Sequence, residues 1–74
     1  MKTVALQLTQ AEALVFFEWL VRNDNAERLQ VEDSAEQQVL WTLEAQLEKG
    51  LVEPFEPNYL ELLAAARAEV RKNS

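Results

Sequence analysis

Glu44 and Glu48 stand four residues apart, a spacing at which two carboxylates can offer oxygen ligands to one cation or divide acid and base roles. A metal shell needs more than that pair, and the chain has no histidine and no cysteine to add to it. Acid–base chemistry needs a cleft that raises one pKa, and a chain of 74 residues has little volume to build one. The pair reads as a solvated acidic face. Asn23, Asp24, Asn25 and Glu27 resemble the opening of a calcium loop, but Arg28 stands where the sharp turn needs glycine, and Ser34 stands where the bidentate glutamate belongs. A single glycine leaves no phosphate-cradling loop, and without thiols there is neither a disulfide framework nor a cysteine nucleophile. No catalytic, cofactor-binding or metal-binding residue emerges, and the expectation is a protein that is not an enzyme.

The charge balance narrows the partners. Thirteen acidic against seven basic side chains give a formal charge of −6, which repels phosphate backbones and anionic lipid over about one Debye length. Neither direct nucleic-acid binding nor membrane binding is expected, and no small-molecule substrate is indicated. The only cluster of cations, Arg67, Arg71 and Lys72, falls at the end of an expected helix, where the dipole favours positive charge. Met1 to Leu8 holds one lysine and no long apolar run, unlike a secretory signal, so the expected location is cytoplasmic. With 49% apolar and 27% charged residues, the chain should fold as one small domain over 1–74.

The expected architecture is mainly α, three helices with a short N-terminal β-strand. Val4, Leu6 and Leu8 alternate with Ala5, Gln7 and Thr9, which predicts a strand over about 3–8. Thr9 and Glu12 form a capping box that opens a helix over about 10–23, before the turn chemistry of Asn23-Asp24-Asn25. Leu29 and Val31 are the candidate second strand, an irregular loop being the alternative; without it, the Val4–Leu8 strand would find its partner on a second copy. Asp33 and Ser34 compete to cap a helix over about 34–49, which Gly50 should end in a left-handed conformation, so that Gly50→Ala would cost on the order of 1 kcal/mol. Leu51 to Pro57 should run extended between helices, with Leu51, Val52 and Phe55 plugging the core. Asn58 opens the last helix, about 59–72, with Tyr59, Leu62, Leu63, Ala66 and Val70 on one stripe.

At 100° per residue, the apolar arc of the first helix covers about 260°, where an ordinary surface helix needs about 100°. Val15 and Trp19 lie one turn apart on one edge of it. On the second helix, Trp41 projects nearly opposite the apolar side of Val39, Leu40, Leu43 and Leu47, with Ala45 beside it. Tryptophan is enriched at interfaces, so Val15, Trp19, Trp41 and Ala45 are the candidate partner-binding residues. Trp41→Ala should mainly weaken association, whereas Leu43→Ala should open a core cavity costing about 2–5 kcal/mol.

Taken together, the lead Val4-Ala5-Leu6-Gln7-Leu8-Thr9, the apolar first helix and the linker Leu51-Val52-Glu53-Pro54-Phe55-Glu56-Pro57-Asn58-Tyr59 resemble small acidic single-domain bacterial proteins. That resemblance implies a bacterial cytosolic setting and no particular activity. The residues themselves point to a protein–protein interaction module whose partner is another copy of itself. The alternative is an acidic inhibitor, immunity protein or nucleic-acid mimic, in which Glu32, Asp33, Glu36, Glu44, Glu48, Glu53 and Glu56 meet a basic protein surface.

Overall fold

The computed structural model describes residues 2–25 and 30–72. Three α-helices form: α1 over Gln10–Asn25, α2 over Ser34–Gly50 and α3 over Tyr59–Lys72. A single 3-10 turn, Glu53–Phe55, joins α2 to α3. Helix α1 is the central element and packs against both of the others.

The helix starts follow from side-chain chemistry. The Glu12 amide donates to Thr9 Oγ1 at 3.1 Å while the Thr9 amide donates to Glu12 Oε1 at 2.8 Å, so two otherwise unpartnered donors are satisfied reciprocally. At α2 the cap is Asp33, whose Oδ1 accepts from the Ala35 amide at 2.7 Å. Glu36 reaches one residue further back, to the Glu32 amide, also at 2.7 Å. The Asn58 carbonyl accepts from the amides of Glu61 and Leu62 as α3 begins, each at 3.1 Å. At the other end of α1 the Asn23 side-chain amide donates to the Trp19 carbonyl at 2.8 Å, and the helix continues to Asn25.

The core is small. Ala11, Leu14 and Phe17 of α1 meet Leu51 and the α3 residues Leu63 and Ala66, with Tyr59, Leu62 and Val70 packed beside them. Leu20 is the most enclosed large side chain, 1% exposed. Helix α2 contributes no buried residue at all.

Four expectations need correction. The described residues contain no β-strand: Lys2–Thr9 is irregular, with no hydrogen bond on the backbone of residues 2–8, and Val31 lies outside any strand. Leu29, its proposed companion, lies outside the described residues. An alternating pattern selects a face but does not supply a strand to bond to, and among the described residues of one copy no strand pairs with it. Gly50 is the last residue of α2, with φ outside the left-handed region, and the chain leaves the helix through an extended Leu51 at φ −113°, ψ 135°. Within the linker only Leu51 plugs the core; Val52 and Phe55 are 64% and 72% exposed. There the Phe55 amide closes onto the Val52 carbonyl and the Glu56 amide onto the Glu53 carbonyl, each at 3.0 Å, a tight turn in place of an extended run. Leu43 is only half-buried, so it cannot leave the large cavity expected of a core leucine.

Candidate interaction surface

The irregular N-terminal segment lies beside the junction of α1 and α2. Val4, Ala5, Leu6 and Leu8 from the segment, Ala13 and Phe16 from α1, and Leu43, Gln46 and Leu47 from α2 together line a groove of about 580 Å³. None of these nine side chains is charged, although the molecule as a whole carries −6. The segment spans the groove without filling it: Val4 is 88% and Leu6 77% exposed.

The groove continues onto α1. Phe16 stacks on Trp19, with ring centroids 6.3 Å apart and planes 18° from parallel. Trp19 is itself 41% exposed. On α2 the helical period places Val39 one turn before Leu43, and Val39 is exposed as well. The groove floor, the Phe16–Trp19 stack and Val39 therefore extend one apolar surface.

The four candidate binding residues fall into different settings. Trp19 sits at the margin of this surface. Val15, one turn earlier, is half-buried and packs against the core. Trp41 is 48% exposed and Ala45 is exposed, but Trp41 lies about 160° around α2 from Leu43, on the flank away from the groove. Leu6, Leu8 and Phe16 are not among those four, although the alternation of the first two and the wide apolar arc that holds the third both point toward a second copy.

The acidic side chains are partly committed within the chain. Asp33 caps α2, Glu36 holds the Glu32 amide, and Glu53 accepts from the Gln10 side chain at 2.6 Å and from the Val52 amide at 3.2 Å. Glu18 ties α1 to α3, accepting from the Tyr59 hydroxyl at 3.3 Å while also pairing with Arg22 at 3.2 Å. Burial chiefly, then the neighbouring Glu18 charge and hydrogen bond, raises the Tyr59 phenol above its ordinary pKa of 10.0, with Arg67 opposing. No group of three or more metal-ligating side chains occurs among the described residues. No helix among them is long and apolar enough to cross a membrane. Comparison with protein-family models, curated proteins and solved structures finds no match, so any functional reading must come from this surface.

Proposed function

We propose that the protein is a self-associating interaction module whose working form buries the α1/α2 groove against a second copy. The observation that carries this reading is an excess of surface. The accessible area is 6146 Å² for a chain of 8.5 kDa. The scaling law for compact monomers gives about 4,650 Å² at that mass, so the excess is about 1,500 Å². A standard interface removes about 800 Å² from each partner, which this excess readily supplies. The radius of gyration agrees in direction: it is 13.4 Å, against about 11 Å for a compact chain of this length.

The chemistry of the excess favours another copy over a basic partner. The groove lining is uncharged and mostly apolar, and burying it needs no desolvation of carboxylates. The acidic-mimic alternative needs its carboxylates free on one face, yet Asp33, Glu36 and Glu53 already bond within the chain.

Trp19→Ala should weaken association by about 2 kcal/mol or more while leaving the helical content intact, since Trp19 lies outside the core cluster. Light scattering over a concentration series, paired with circular dichroism, reads both quantities. An unchanged association constant would remove Trp19 from the interface; loss of helix in step with loss of association would show that it is a folding residue.

A further inference from the structure

Residues 2–8 form a run whose backbone donors and acceptors have no partner among the described residues, and its side chains alternate. Resting on the self-association reading, we infer that two copies join through this segment, as an antiparallel two-stranded ribbon with Leu6 on the two-fold axis. The segment is self-complementary about that residue. Leu6 meets its own counterpart, Val4 meets Leu8, and Ala5 meets Gln7, so the large apolar side chains of both strands fall on one face. A register shift of one residue would turn one strand's apolar face to water.

That face has a place to go. Val4, Leu6 and Leu8 already line the groove, and a volume of about 580 Å³ leaves ample room beside them. Adjacent strands lie about 4.8 Å apart, and because the two-fold axis is normal to the ribbon, the floors of both copies, each with Phe16, Leu43 and Leu47, lie side by side beneath its apolar face. The charges agree with an antiparallel sense. Lys2 is directed toward the start of the partner's α1, where Glu12 and Glu53 stand near Gln10, whereas a parallel pairing would set two Lys2 ammonium groups side by side. Two copies related by this axis each contribute the same surface, which closes the assembly at a dimer.

The chain has no cysteine, so single-cysteine variants report the seam without background. Leu6→Cys should form an intermolecular disulfide under mild oxidation at least about tenfold faster than Val52→Cys or Leu60→Cys, which are exposed and outside the groove lining. Hydrogen exchange of the wild-type chain supplies a second readout that no substitution can disturb. Alternate amides within Val4–Leu8 should be protected at concentrations where the dimer forms, and unprotected on dilution. A dimeric wild type with no protection there, and with Leu6→Cys no faster than the controls, would overturn the ribbon and leave self-association standing. A wild type that is monomeric throughout would instead overturn the self-association reading beneath it.

Discussion

A capping pair, a glycine and a tyrosine carry the most decidable consequences at the scale of single residues. Thr9 and Glu12 satisfy each other's amides at the start of the central helix, so Thr9→Ala should cost about 1 kcal/mol in denaturant unfolding. Gly50 has no unusual φ, and a Cβ added there meets nothing within 4 Å. Gly50→Ala should therefore leave stability unchanged or raise it by up to about 1 kcal/mol, because alanine restricts the unfolded chain at no native cost. A loss of that size would restore the left-handed helix stop expected from the sequence. Tyr59 is the only tyrosine, so its ionisation is read without overlap by ultraviolet titration. Its pKa is raised on folding, chiefly by burial, so above about pH 10 the unfolded chain gives up this proton more readily than the folded one. Its contribution is complete below the unfolded value and declines as pH rises through the folded one. Tyr59→Phe should remove that decline from the stability profile. An equally steep profile in the variant would assign the loss to other groups.

The helices differ in how firmly they are held. Helix α3 presents a narrow stripe and buries Leu63 and Ala66, while α2 rests on α1 through half-buried leucines. In dilute solution, Leu20→Ala should cost about 2–5 kcal/mol and Leu43→Ala distinctly less, with α2 amides exchanging ahead of those in the middle of α1. Equal costs would mean that α2 is as firmly packed as the core. Where an element's signal is local, it was legible in the sequence: the Thr9–Glu12 box and Asp33 both mark helix starts that the structure contains, and Leu63 and Ala66 belong to the stripe expected of α3. Where the outcome depends on a neighbour, it was not. Period-two alternation at Val4–Leu8 identifies a face without naming what it pairs with, and Leu43 has helical core spacing yet faces a groove. Phe55 was misplaced for a related reason. The prolines around it mark a break in the helix, but they do not choose between an extended linker and a 3-10 turn that turns the ring outward. The exposure of Trp41, on the flank away from the groove, was readable from its helical phase, whereas the meeting of Phe16 with the N-terminal segment depends on how separate elements pack.

For the molecule as a whole, area and size lead to the same conclusion. One copy leaves Val4, Leu6, Val39, both tryptophans, Phe55 and Leu60 substantially open to solvent, on a chain too short to enclose them. Scattered exposed hydrophobic residues are ordinary on proteins, but a continuous uncharged groove on a molecule carrying −6 is the kind of patch that marks an interface. Net negative charge opposes close approach of two copies at long range, so added salt should strengthen the dimer or leave it unchanged, the reverse of an acidic protein binding a basic partner. Sedimentation equilibrium of the wild-type chain, from low micromolar to millimolar concentration, decides whether a second copy covers the groove. The mass should rise from 8.5 kDa to a plateau at twice that value. A mass that stays at 8.5 kDa across the whole range would contradict self-association.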